Sequence, residues 1–127
     1  MMSNWIPFED ATYLVERAFI LAADKTAAVL EQTFITIYTG KGGKKGFSGT
    51  GRIRNIFIVQ LLEDHDEVDL ILDLGGEFKY YLSSPNITGG KVFSPDTQSS
   101  IQFSPTSPWR QMSEAEFDTL MNVLKIL

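Results

Sequence analysis

The stretch Val68–Ser83, with the sequence VDLILDLGGEFKYYLS, decides the fold class that this chain predicts. From Val68 to Leu74 an apolar side chain occupies every second position, which is the period of a strand with one buried face. Gly75-Gly76 suits a tight hairpin turn, because glycine accepts positive φ at both central positions. Residues Glu77–Ser83 predict the returning strand. The stretch is therefore read as an antiparallel hairpin.

Two earlier stretches predict further strands. Thr33–Thr39, TFITIYT, is rich in β-branched and aromatic residues, which fit a pleated surface. Arg52–Leu62, RIRNIFIVQLL, is apolar on both alternating faces from Ile56 onward, as in a central strand. Together with the hairpin, these stretches predict an antiparallel meander of four strands.

A fifth region, residues 91–103, leaves two interpretations open. The short apolar patches Lys91–Phe93 and Ile101–Phe103 flank a turn signal, Ser94-Pro95-Asp96-Thr97. Proline at the second turn position presets φ, so an extra hairpin is one interpretation. The other is an irregular excursion over one edge of the sheet.

Residues Pro7–Gln32 predict an N-terminal helix. Pro7 suits a first helical turn, and the acidic Glu9 and Asp10 stand at the positive end of the helix dipole. Apolar residues recur at a spacing of three to four, apart from one skipped turn near Thr26, as on the buried face of a helix. They are Phe8, Ala11, Val15, Ala18, Ala22 and Val29. A break near residues 23–25 into two shorter helices is the alternative.

A second helix is predicted over Glu114–Leu127. Ser113 and Glu116 match a capping box, in which each side chain accepts a hydrogen bond from the other residue's backbone N–H. Met112 and Phe117 occupy the two positions of a hydrophobic staple. The sequence thus predicts one α+β domain over residues 1–127, with an N-terminal helix, the meander and a C-terminal helix packed on the sheet.

The composition excludes several classes of site. The chain has 127 residues, 43% of them hydrophobic, a net charge of −5, one histidine and no cysteine. Without cysteine there is no thiolate zinc site, iron–sulfur cluster, disulfide or thiol nucleophile. Residues Met1–Asp10 show no targeting signal and no apolar run is long enough to span a bilayer, so we expect a cytoplasmic protein.

The titratable residues of the chain give little support for a catalytic function. His65, the single histidine, lies in the acidic run Glu63–Glu67, and is read either as a general base or metal ligand, or as part of a solvated turn. Asp69, Asp73 and Glu77 are read either as paired carboxylates or as the charged edge of a strand. No nucleophile is paired with a base by a recognisable motif. We therefore expect no enzymatic activity, no metal and no cofactor.

The segment Gly40–Arg54, GKGGKKGFSGTGRIR, carries the clearest chemical pattern. It combines six glycines with five cations and contains no acid. Glycines let backbone N–H groups approach an anion, and cations supply the charge, so the segment predicts a phosphate or nucleic-acid contact. The polyanion-binding candidates are Lys41, Lys44, Lys45, Arg52 and Arg54. A soluble hairpin loop and a protein-binding loop are the alternatives.

Four aromatic residues near this segment are candidates for base stacking if they face outward. They are Tyr38, Phe47, Tyr80 and Tyr81. Aromatic residues at strand spacing are otherwise core or cross-strand pairs.

The alternative function is binding of a basic protein partner, as in an immunity protein, an inhibitor or a chaperone. The acidic turn Glu63–Asp69 would steer such a partner by charge complementarity. The candidate partner contacts are Asp64, Asp66, Glu67, Trp109 and Arg110. Trp109 is also read as a lid over the hydrophobic core. Because an exposed strand edge can pair with the edge of another copy, we expect that the chain can form a homo-oligomer.

Overall fold

The computed structural model describes residues 8–58, 60–61, 67–89 and 98–127. Within these residues the chain is mostly antiparallel sheet, with ten strands in a curled half-barrel and two short α-helices. A single 3₁₀ turn, Lys41–Gly43, separates the third and fourth strands. In chain order the elements are β1 (Ala11–Leu14), β2 (Arg17–Ala22), β3 (Thr26–Thr39), β4 (Lys45–Arg54), α1 (Asn55–Ile58), β5 (Val68–Asp73), β6 (Lys79–Leu82), β7 (Asn86–Gly89), β8 (Gln98–Ser104), β9 (Arg110–Gln111), α2 (Glu114–Val123) and β10 (Lys125–Ile126).

The 14-residue strand β3 joins two parts of the sheet. Its C-terminal half pairs with β1 and β4, and the order β7-β8-β4-β3-β1 is called the β4 sheet below. Its N-terminal half pairs with β2 and with the parallel β10, and the order β10-β3-β2-β5-β6-β9 is called the β2 sheet. Between Glu31 and Phe34 the register with β4 shifts, and Gln32 has φ 48°. Such a bulge bends a strand and increases its twist, which lets β3 serve both sheets.

The predicted N-terminal helix over Pro7–Gln32 is wrong. Its described residues form β1, β2 and the start of β3, and residues 23–25 form the hairpin turn between β2 and β3. The reason lies in Ala18–Ala22, where all five residues are buried. Phe19 and Leu21 face α2 while their neighbours face the other side of the sheet. A strand buried on both faces has no polar alternation, so its sequence does not distinguish it from a buried helix.

The predicted strand Arg52–Leu62 is correct only at its start, because β4 ends at Arg54 and α1 follows. The glycine segment is also not a loop, since most of it is β4 itself. Gly49 lies beneath the ring of Phe103, and a Cβ there would lie 2.2 Å from the ring carbon Cζ. This glycine makes room for a core side chain from the neighbouring strand.

The hairpin over Val68–Ser83 is confirmed, with β5 and β6 paired antiparallel. Its turn is one residue longer than predicted, because Leu74 N–H donates to the Phe78 carbonyl at 2.8 Å and encloses residues 75–77. Both glycines have positive φ, 105° and 56°. However, β5 pairs with β2 and not with the Thr33–Thr39 strand, so the four-strand meander is wrong.

The later part of the 91–103 region forms β8, which lies between β4 and β7. Ile101 and Phe103 are buried there, so this part does not run over a sheet edge. Residues 91–97 lie outside the described part of the chain. The predicted hairpin is nevertheless wrong in its pairing, because Ile101–Phe103 is paired with β4 along one edge and with β7 along the other.

Two apolar clusters hold these elements together. The inner faces of both sheets share the larger cluster, in which the Trp109 ring stacks on Tyr80 with centroids 4.0 Å apart. The second cluster lies between α2 and the outer face of the β2 sheet, and buries Phe19, Ile71 and Phe117. The C-terminal helix thus packs on the sheet, as predicted.

The start of α2 confirms the capping box. Glu116 N–H donates to Ser113 Oγ at 3.1 Å, and Ser113 N–H donates to Glu116 Oε1 at 3.4 Å. The two staple residues, Met112 and Phe117, are both buried. The helix ends at Val123, four residues earlier than predicted, because Lys125–Ile126 pairs with the start of β3.

Candidate functional site

The outer face of the β4 sheet presents the chemistry that the sequence assigned to a loop. Along β4 exposed and buried residues alternate. Ser48, Thr50, Arg52 and Arg54 point outward, whereas the intervening positions face the inner core. The signal for this was the period of two in the second half of Gly40–Arg54, which the many glycines concealed.

The five predicted polyanion-binding cations do not form one cluster. Lys41 and Lys44 are exposed at the turn before β4, and Arg52 and Arg54 are exposed at its far end. Eight residues of extended chain separate Lys44 from Arg52, which is about 26 Å at roughly 3.3 Å per residue. The structure therefore places two pairs of cations at opposite ends of one strand.

The fifth cation, Lys45, has a structural contact. Its Nζ donates to the carbonyl oxygen of Phe8 at 2.5 Å. Phe8 in turn packs against Tyr13, Tyr80 and Trp109 with ring centroids 5.2–6.1 Å apart. Lys45 thus ties the start of the described chain to the sheet.

The two arginines remain available to a ligand. The Arg54 guanidinium lies over the Phe57 ring, 5.6 Å from its centroid. Arg52 pairs in register with Glu31, whose carboxylate accepts a hydrogen bond from Gln98 Nε2 at 2.6 Å. Neither arginine forms an ion pair within the described parts of the chain.

Two aromatic rings lie on the same outer face. Tyr38 is 48% exposed, and its ring lies across Gly46, where a Cβ would come within 2.9 Å of the phenolic oxygen. Phe34 is 42% exposed and pairs in register with Leu14, which is also exposed. Of the four predicted stacking residues, only Tyr38 lies here.

The other three stacking candidates lie elsewhere. Phe47 and Tyr80 are buried in the inner core. Tyr81 is half-buried under Arg110 on the β2 sheet, with ring and guanidinium 5.3 Å apart. Its hydroxyl donates to Asp69, and burial, followed by this hydrogen bond, raises the pKa of Tyr81.

The sequence reading missed Phe34. On β3 the polar Thr33 is buried at 2% exposure while Phe34 points out, the reverse of what side-chain polarity favours. Thr33 Oγ1 has no hydrogen-bond partner within the described residues. The signal that could have found Phe34 is the period of two in Thr33–Thr39, which buries Ile35 and Ile37 and places Phe34 on the face of Tyr38.

A shallow polar depression adjoins the aromatic residues. Its volume is about 440 Å³, and hydroxyl and amide groups of β4, β7 and β8 line it. Residues that pair in register across the five strands form one row, and its side chains change from apolar at β1 to polar at β7. The row is Leu14, Phe34, Thr50, Gln102 and Thr88. The outer face therefore offers rings, cations and hydrogen-bonding groups together.

The three described partner-contact candidates, Glu67, Trp109 and Arg110, have different surroundings. Trp109 is 7% exposed and belongs to the inner core, as the lid interpretation had it. Arg110 forms an ion pair with Glu116 at 2.7 Å, and Glu67 is exposed just before β5. Asp64, His65 and Asp66 lie outside the described residues, so the acidic-turn hypothesis stays a prediction.

The carboxylates of β5 have structural partners. Asp73 is 2% exposed, pairs with Arg17 at 2.9 Å and with Lys79 at 3.7 Å, and accepts the Gly75 N–H at 2.9 Å. Asp69 accepts the N–H of Ser84 at 2.9 Å in addition to the Tyr81 hydroxyl. The burial of Asp73 contradicts the interpretation of a charged, solvent-facing strand edge, since its pairing with Arg17 joins residues 56 apart in the chain.

Comparison with known proteins gave no matching family, no similar curated protein and no similar solved structure. Among the described residues, no cluster of three or more His, Asp or Glu side chains could hold a metal ion. The helices of the described chain are too short and too polar to cross a bilayer. The cytoplasmic location stays a prediction.

Proposed function

We propose that this protein binds single-stranded nucleic acid on the outer face of the β4 sheet, without catalysing a reaction. One observation carries the proposal: the exposed rings of Tyr38 and Phe34 share this face with the guanidinium groups of Arg52 and Arg54. Proteins that bind single strands combine aromatic stacking platforms with cations that follow the backbone.

The aromatic rings favour unpaired bases. Tyr38 and Phe34 lie on one face of β3, four residues and thus about 13 Å apart. A base can stack on such a ring only when one of its own faces is free of a neighbouring base, which a duplex allows only at its ends. Each stacked base contributes about 1–3 kcal/mol of binding free energy.

The charge of this face differs from that of the whole chain. The five strands of the β4 sheet contain one acid, Glu31, while the net charge is −5. At physiological ionic strength, charges beyond a Debye length of about 8 Å are largely screened, so distant acids affect this face weakly. The cation pairs at the two ends of β4 can contact phosphates on either side of the stacked bases.

The same strands supply no catalytic pair. They contain no histidine, and their one carboxylate, Glu31, already accepts a hydrogen bond from Gln98. A general base and an activated nucleophile are what acid–base and covalent catalysis need. The outer face therefore supports binding rather than turnover.

Fluorescence anisotropy with labelled single- and double-stranded oligonucleotides tests the proposal. We expect Tyr38→Ala to weaken single-strand binding by about 1–3 kcal/mol, the contribution of one stacked base. With four phosphate contacts and a slope of roughly 0.7 each, raising salt from ~50 to ~200 mM should weaken binding about 50-fold.

A charge-matched pair of variants separates this site from general electrostatics. Arg52→Gln/Arg54→Gln and Lys25→Gln/Lys125→Gln both change the net charge from −5 to −7, since each substitution removes one cation. Only the arginine variant should lose affinity. Equal losses in both variants, or no binding to single strands at ~50 mM salt, would refute the proposal.

A further inference from the structure

A groove runs beside α2 on the opposite side of the molecule from the proposed nucleic-acid face. Its volume is about 590 Å³. Small-molecule sites typically span roughly 300–1,000 Å³. The residues that matter for its chemistry are Lys25, Tyr81, Arg110, Met112, Leu120 and Val123.

The floor and one wall of the groove are apolar. Met112 is buried, and Leu120 is half-buried on the side of α2 that packs on the sheet. Val123 lies at the end of the helix and is 50% exposed. Because the Tyr81 hydroxyl is engaged by Asp69, that residue contributes mainly its ring to the groove. An apolar body can therefore lie along α2.

The two cations of the groove differ in their partners. Arg110 pairs with Glu116 at 2.7 Å and stacks over Tyr81, so its charge is compensated. Lys25 lies beside the end of α2, where its carbonyl accepts the N–H of Lys125 at 2.8 Å. Its ammonium group has no ion pair or hydrogen bond to any described residue. The groove thus has one uncompensated positive charge.

The backbone of Lys25 is a second, independent observation. Lys25 has φ 73° in the turn between β2 and β3, where its N–H donates to the Ala22 carbonyl at 3.0 Å. Glycine or asparagine adopts this left-handed conformation at lower cost than lysine. Backbone strain of this kind concentrates at ligand-binding positions. A long cationic side chain is held here although the turn itself favours glycine.

We infer that the groove binds a small amphiphilic carboxylate, an acyl or aryl acid. Its carboxylate pairs with Lys25, and its apolar body lies over Leu120 and Met112 toward Arg110. This site is independent of the proposed nucleic-acid face, so the failure of one leaves the other standing.

Titration of the protein with decanoate, followed by methyl NMR signals of Met112, Leu120 and Val123, tests the inference. These signals should shift and saturate. Octanoate should bind about tenfold more weakly, because it buries two fewer methylene groups. Decylammonium, with the same chain and the opposite charge, should bind more than about fivefold more weakly than decanoate, because it lacks the ion pair and places its charge beside Lys25.

The Lys25→Gly variant measures how much the carboxylate head group of decanoate contributes to binding. The turn favours glycine, so folding should be retained, and decanoate should bind about fivefold more weakly, the fold-change of one exposed ion pair. Lys125→Gln removes the same charge outside the groove and should leave the affinity unchanged. Thr119 is an exposed residue of α2 that also lines the groove, so Thr119→Trp should fill the groove and abolish binding while the melting temperature stays near that of the parent protein.

Four results would overturn the inference. The first is methyl signals that do not shift on adding decanoate, and the second is decylammonium binding as tight as that of decanoate. The third is a Lys25→Gly variant that binds decanoate as tightly as the parent protein. Finally, signals that respond to protein concentration and not to decanoate would identify the groove as a surface for self-association.

Discussion

The two outer faces of the curled sheet carry similar groups in different settings. On the β2 sheet, the cations of Arg17 and Lys79 lie 5.0 and 5.2 Å from the centroid of the Phe117 ring, and Asp73 pairs with both. On the β4 sheet, Arg52 and Tyr38 are exposed to solvent. The difference is α2, which covers the first face. On the second face Arg52 and Tyr38 have no covering helix and are open to water or to a ligand.

The largest expected effect on stability comes from truncating a buried side chain between α2 and the β2 sheet. Phe117→Ala should lower the free energy of unfolding by about 3–5 kcal/mol, because Phe117 is 1% exposed and anchors α2. Phe34→Ala should cost less than about 1 kcal/mol, since that ring is 42% exposed. Urea denaturation of both variants measures the contrast. Similar losses would show that the two faces are equally structural.

A smaller effect should follow from removing the buried carboxylate. Asp73→Asn leaves the half-exposed Arg17 and the buried Lys79 without their anion, and we expect a loss of about 2–3 kcal/mol. On the open face, Glu31→Gln should change stability by less than about 0.5 kcal/mol. Equal effects in urea denaturation would contradict the distinction between the faces.

The smallest effect concerns pH. Burial, followed by the hydrogen bond to Asp69, raises the pKa of Tyr81 above its usual 10.0. The unfolded chain therefore loses this proton first, and the stability that Tyr81 contributes is present below pH 10 and declines as pH rises above it. Tyr81→Phe should flatten this decline. An unchanged pH dependence of stability in Tyr81→Phe, measured by urea denaturation between about pH 8 and pH 11, would contradict this prediction.

The sequence predicted the local elements better than their arrangement. The hairpin over Val68–Ser83 and the capping box at Ser113 follow from short-range patterns, alternation and side-chain capping, which need no tertiary context. The strands β1 and β2 and the start of β3 were not predicted, because Ala18–Ala22 is apolar on both faces and is therefore compatible with a helix. Its position between α2 and the inner core decides its structure.

The candidate site was predictable in part for a similar reason. Arg52, Arg54 and Tyr38 were nominated from charge and residue type, and β4 places the arginines on one face by simple alternation. Phe34 was missed although the same alternation on β3 places it on the face of Tyr38, four residues away. The sequence left Trp109 as either a partner contact or a lid over the core, and its burial and its stacking on Tyr80 assign it to the core.

The central claim is that the uncovered face of the β4 sheet binds single-stranded nucleic acid. Amide NMR shifts on adding a short oligothymidylate at ~50 mM salt test it most directly, because low salt favours phosphate contacts. If the β4 sheet binds the strand, we expect the amide signals of Tyr38, Gly46 and Arg52 to shift and saturate, while those of α2 stay in place. Unshifted signals on this face, or shifts confined to α2, would contradict it.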